Sequence, residues 1–187
     1  MTGTTLANGG AYDFGSVPSA PTGCTAVEAV SGLASCVASG YGSGVGSWTV
    51  SATATDNAGN VSTATFGYSV VSWVLTGFDK PIDMAGINDL KAGNAANLKF
   101  TVDGGATDLS GLVVVAGIDQ ELVACPAAIG GPKGHGGGSG GNQAAAARKA
   151  GTSVSTRWQS PNQPGTCWLV TVRTADGSSL SAVFKLR

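Results

Sequence analysis

Asp56-Asn57-Ala58-Gly59-Asn60 puts one carboxylate and two side-chain amides within five residues, the hard oxygen donors that a calcium ion takes. The same residue types are what a tight hairpin turn demands for its backbone angles. With a single carboxylate present, Asp56, Asn57 and Asn60 read first as a turn and only second as a calcium site, and no other cofactor is expected. A glycosidase needs two carboxylates held at a set distance. Asp79, Asp83, Asp89, Asp103, Asp108, Asp119 and Glu121 are available. Most lie within a few residues of Gly, Pro or Asn, where Asp serves turns, and no spacing holds two of them together. A Ser-His device would depend on His135, the one histidine, which stands in a glycine tract with no acid beside it. Gly130 to Ser139 lacks the Gly-Lys-Ser/Thr ending of a phosphate loop. The chain therefore reads as non-catalytic.

Cys24, Cys36, Cys125 and Cys167 form an even set with two in each half. That pattern suits one disulfide per domain in an oxidising compartment, and no Cys-x-x-Cys spacing suggests zinc or a redox dithiol. Three pairings are open. Cys24–Cys36 with Cys125–Cys167 is expected, because the other two would tie together halves whose strand patterns look self-contained. Four tryptophans could stack on sugars. Trp48, Trp158 and Trp168 fall in register with apolar neighbours, however, so core packing is expected, and Trp73 stands where the two halves join.

These residues must be carried by strands. From Trp48 to Val70 the chain alternates with period two on both arms of a hairpin. Trp48, Val50, Ala52 and Ala54 share one face of the first arm; Ala64, Phe66, Tyr68 and Val70 share one face of the second. A hairpin cannot bury its apolar face alone, so it belongs to a sandwich. An opening strand is expected near Ala11–Phe14, two short segments inside Cys24–Cys36, and a buried strand over Leu112–Ile118. Leu98 and Phe100 point to a core, with Lys99 on the solvated face. Trp168, Val170 and Val172 line one strand and Ala182, Phe184 and Leu186 the last, joined by a turn at Ala175–Ser178.

The chain has 187 residues, 30 of them glycine, with 10 Lys+Arg against 11 Asp+Glu. Such a balance carries no electrostatic footprint for nucleic acid. No apolar run is long enough for a membrane helix, so no membrane insertion is expected. Ile129 to Gly151 is a glycine tract followed by an alanine run, read as a flexible insertion. Residues 1–70 and 71–187 are the expected domains.

Tyr12-Asp13-Phe14-Gly15, Pro18, Cys24-Thr25-Ala26, Ser31-Gly32-Leu33-Ala34-Ser35-Cys36 and Thr49 through Asn60 resemble the bacterial extracellular Ig-like, hyaline-repeat type of module. Trp73 through Met84, Asn88 through Phe100, Pro164-Gly-Thr-Cys-Trp168 and Ala175 through Lys185 resemble the PxKF domain, named for a Pro-x-Lys-Phe motif, with Asn97 in the place of the proline. The resemblance implies no catalytic residues; it implies stalks, adhesins and the tails of secreted hydrolases. The expectation is an all-β chain of two tandem Ig-like β-sandwich domains, the second with a Gly-rich insertion loop. It would act outside the cell or at its surface as a spacer and adhesion module meeting a protein or polysaccharide surface. The N-terminus lacks the basic and apolar regions of a secretory signal, so an export signal is expected upstream. The alternative is a carbohydrate-binding accessory module of a secreted hydrolase.

Overall fold

The computed structural model describes residues 1–27, 30–126 and 151–187, which form strands and no helix. In chain order these are β1 (Gly10–Asp13), β2 (Leu33–Ser39), β3 (Gly46–Asp56), β4 (Val61–Val71), β5 (Val74–Phe78), β6 (Ile87–Leu90), β7 (Ala95–Asp103), β8 (Val115–Val123), β9 (Thr152–Gln159), β10 (Cys167–Thr174) and β11 (Ser179–Leu186). The fold is all-β and Ig-like. Two units divide it. One comprises Met1–Trp73 with Gly104–Gly111; the other comprises Val74–Asp103 with Leu112–Arg187.

In the first unit the alternating hairpin becomes β3 and β4, eleven residues each, paired antiparallel from Gly46↔Val70 to Thr55↔Val61. The sheet runs β1-β4-β3-β2, with β1 parallel to β4. Burial is concentrated at the base of the hairpin. Val50, Tyr68 and Val70 are buried against Met1, Leu6, Tyr12, Phe14, Val17, Tyr41, Trp48 and Phe66, whereas Ala64, nearer the tip, is exposed. The layer facing this sheet is irregular except for a bridge between Thr2 and Gly23. Cys24–Cys36 joins that layer to β2, with Cα atoms 5.5 Å apart. Gly104–Gly111 completes the unit: the Asp13 carboxylate accepts the Ala106 N–H at 2.7 Å, and the Thr107 hydroxyl donates to the Phe14 carbonyl at 2.9 Å. No strand forms over residues 25–27, and among the described residues of the Cys24–Cys36 loop the strand is the start of β2.

The second unit is a two-sheet sandwich. One sheet runs β6-β11-β10-β8, the other β5-β7-β9. Period-two alternation delivers Leu98, Phe100 and Val102 of β7 to one side of the core and Val170, Val172, Ala182, Phe184 and Leu186 to the other, all buried. Trp158 of β9 bridges the sheets: its ring lies 5.0 Å from Phe184, and its Nε1–H donates to Gln120 of β8 at 2.8 Å. Lys99 points outward, 3.8 Å from Asp79. Cys125 and Cys167 are bonded, closing a separation of 42 residues, and Cys167 is fully buried. The buried strand expected over Leu112–Ile118 is corrected: β8 begins at Val115, and Leu112 and Val113 are exposed. An apolar run without alternation reports no face, and Gly111 turns the chain just before it. The insertion at 129–151 falls, but for Gly151, outside the described residues, as does His135.

The four-stranded sheets share one plan. In each, a short strand runs parallel to the last strand, the last strand pairs antiparallel with the strand before it, and that strand pairs antiparallel with an earlier one. Their hairpins turn alike. Gly59 N–H donates to the Asp56 carbonyl and Gly177 N–H to the Thr174 carbonyl, each at a glycine with φ near +90° (89° and 90°), where an L side chain is strained.

Candidate functional site

Asp56, Asn57 and Asn60 do come together at the tip of the β3–β4 hairpin, and the geometry states what they do there. Asp56 Oδ1 accepts the N–H groups of Ala58 (2.9 Å) and Asn60 (2.7 Å). Its Oδ2 accepts the Asn60 side-chain amide (2.7 Å) and the Ser31 hydroxyl (2.8 Å). Four donors thus converge on one carboxylate, and a cation there would meet N–H and O–H hydrogens on both oxygens. The Asn60 side-chain amide first, then the Asn60 N–H, and behind them the Ser31 hydroxyl and the Ala58 N–H, lower the Asp56 pKa from 3.8 to about 2, against desolvation, which raises it. Asn57 does not bond the Asp56 carboxylate; it donates from Nδ2 to the Ser31 carbonyl at 2.8 Å. The turn is a latch joining the hairpin tip to Ser31 and Gly32. Sequence reasoning did not find Ser31, which lies 25 residues from its partner and carries no local mark of the contact.

Six other carboxylates are engaged separately from this turn. Asp119 pairs with Arg173 at 2.8 Å, Asp89 with Arg187 through both oxygens, and Asp79 with Lys99. Asp83 and Asp108 each accept an N–H two residues on, as turn carboxylates do. Asp176, buried in the β10–β11 turn, accepts the hydroxyls of Thr174 and Ser178. No group of three or more His, Cys, Asp or Glu among the described residues is arranged to hold a metal.

The tryptophans are built into the units. Trp73 and Trp158 are buried; Trp48 and Trp168 are partly covered. Trp48 Nε1–H donates to the Gly44 carbonyl at 2.8 Å and Trp168 Nε1–H to the Thr166 hydroxyl at 2.9 Å. Trp73, expected where the halves join, packs edge-on to Phe14, ring centroids 5.3 Å apart, and donates to the Phe14 carbonyl. None lies flat and open as a sugar platform does.

The second unit also has an open cleft of about 390 Å³ beside β6, with Ile82 and Phe184 among its apolar lining and Asp83, Asn88, Asp89 and Asn97 among its polar lining. Asn88 is used structurally: Nδ2 donates to the Asp83 and Val183 carbonyls, and Oδ1 accepts the Asp83 N–H.

No protein-family model and no curated protein matches the sequence. Among solved structures, the fibronectin(III)-like modules of Clostridium thermocellum CbhA align over 98% of this chain and 92% of theirs, at 12% identity and a TM-score of 0.29. The Bacteroides ovatus mixed-linkage glucan utilization locus protein SGBP-B, solved with a mixed-linkage heptasaccharide, aligns over 77% of this chain and 30% of its own, at 12% identity and a TM-score of 0.24. Both scores fall below 0.5, and the fold assignment stands on this chain's own strand pairing.

Proposed function

We propose that the chain is a non-catalytic extracellular module, a spacer and terminal adhesion domain of a secreted or surface bacterial protein, with a second unit of the PxKF type. One observation carries the reading: each unit closes its own disulfide, Cys24–Cys36 in the first and Cys125–Cys167 in the second. That device belongs to small domains exposed to an oxidising exterior. The partner is a protein or polysaccharide surface, and no cofactor takes part. A second reading, a carbohydrate-binding accessory module, is favoured by the cleft beside β6, where Asp83 and Asn97 stand over apolar walls.

A glycan array with polysaccharide pull-down on the oxidised chain separates the two. No saturable binding leaves the spacer reading with a protein partner, and saturable binding that survives Asn97→Ala leaves it with a polysaccharide partner held away from the cleft. Saturable binding that is lost in Asn97→Ala replaces it with the accessory-module reading.

A further inference from the structure

Among the described residues six strands form the sheet edges, and five carry features that discourage another strand from joining them. β1 is four residues long and ends in Asp13. β5 contains Gly77 and a register shift. β6 carries Asp89, β8 carries Asp119 and Glu121, and β9 carries Arg157. β2 is Leu-Ala-Ser-Cys-Val-Ala-Ser, with no charge, proline or glycine. Its register is irregular only at Leu33/Ser35, leaving Ser35–Ser39 as a regular run. Gly32 and Gly40, with φ of 77° and 84°, bend the chain at both ends. Val37 is 60% exposed, and among the described residues no hydrogen bond reaches the outer side of β2.

We propose that β2 is an intermolecular edge, on which two copies of this chain pair their β2 strands antiparallel about a two-fold axis at Cys36. The strand is its own complement. In that register Ser35 faces Val37, Ala34 faces Ala38 and Leu33 faces Ser39, so no like charges meet and every pair includes a small side chain. Ala38 and Cys36 sit opposite Ala52 and Ala54 of β3, so a second copy continues the same small-residue face across the junction. Each larger side chain, Leu33 and Val37, meets a serine across the two-fold axis, a match that every copy of the chain carries, which is why the second copy is the occupant.

Sedimentation velocity on the oxidised full chain tests this between about 5 μM and about 500 μM, the range of a small transient interface. The expected result is a concentration-dependent dimer, with amide hydrogen exchange slowing at Ser35–Ser39 as it forms. Val37→Lys puts a charge on the junction and should abolish the dimer while leaving the melting temperature within a degree or two. Val113→Lys, at a 79% exposed position outside the strands, should leave the dimer intact. If Val37→Lys misfolds, Ser35→Lys serves in its place. A chain that stays monomeric throughout overturns the proposal and leaves the edge to a strand from another protein. A dimer that survives both β2 variants, or that Val113→Lys removes equally, overturns it as well.

Discussion

Asp56 illustrates how one side chain can resemble a ligand and serve as a fastener. Its charge is stabilised by four donors in the folded state and by water in the unfolded one, which is why its pKa falls to about 2 from 3.8. The stabilisation it contributes is therefore fully present above pH 3.8 and is lost as the pH falls through about 2. Asp56→Asn removes the charge and turns one acceptor into a donor facing Ser31 and the Asn60 amide. Its melting temperature should lie below that of the parent at pH 5 to 7. The gap should narrow below pH 4 and close near pH 2; a gap independent of pH would show that the charge is not what fastens the turn. Added calcium or chelator should leave the parent's melt unchanged. The turn itself was legible in Asp-Asn-Ala-Gly-Asn, since Gly59 and the Asx hydrogen bonds are local chemistry. Its attachment to Ser31 was not, because that contact exists only once β2 and β3 have paired.

At the scale of elements, alternation was a dependable guide wherever one face of a strand is dry. β3, β4, β7, β10 and β11 were all readable in this way, and Leu98, Phe100 and the Val170/Val172 pair went to the core as their spacing required. The signal failed where burial depends on what happens to cover the strand. Ala64 has the right parity yet lies near a hairpin tip that nothing encloses, and Leu112 and Val113 are apolar but precede β8. Gly104–Gly111 joins the first unit through hydrogen bonds to Asp13 and Phe14, more than ninety residues away, which no local pattern announces.

One element contact makes a sharp prediction. Gly42 is buried beneath the Trp48 indole, and the Tyr68 hydroxyl bonds both its N–H (2.9 Å) and its carbonyl (2.6 Å). A Cβ at Gly42 would fall inside the Trp48 ring system. Gly42→Ala should cost the first unit about 1–3 kcal/mol, the usual range for overpacking. Denaturant titration followed by tryptophan emission measures it, and a loss under about 0.5 kcal/mol would mean that Trp48 can move aside freely.

Across the whole molecule the disulfides act on rings of different size. The Cys24–Cys36 bond closes 12 residues and the Cys125–Cys167 bond 42. Chain entropy assigns about 3 kcal/mol to the first and about 4 kcal/mol to the second. Replacing Cys125 and Cys167 by serine should therefore lower stability more than replacing Cys24 and Cys36, all the more because Cys167 is fully buried. Calorimetry on the two double variants decides the order, and an equal or reversed pair of losses would contradict it.

The parallel pairing of β1 with β4 and of β6 with β11 bears on how each unit would take a load. A unit drawn apart along the chain feels opposite pulls on an early strand and on its last strand. Where those two run parallel, they must slide past one another, so the rungs Gly10↔Tyr68 to Asp13↔Val71, and Val183↔Ile87 to Leu186↔Leu90, are strained in shear and together. An antiparallel pair pulled in this way would open like a zip, one rung at a time. The first unit thus carries this clamp on its first and last strands, whereas in the second β5 precedes β6 and its antiparallel pairing with β7 takes the load first.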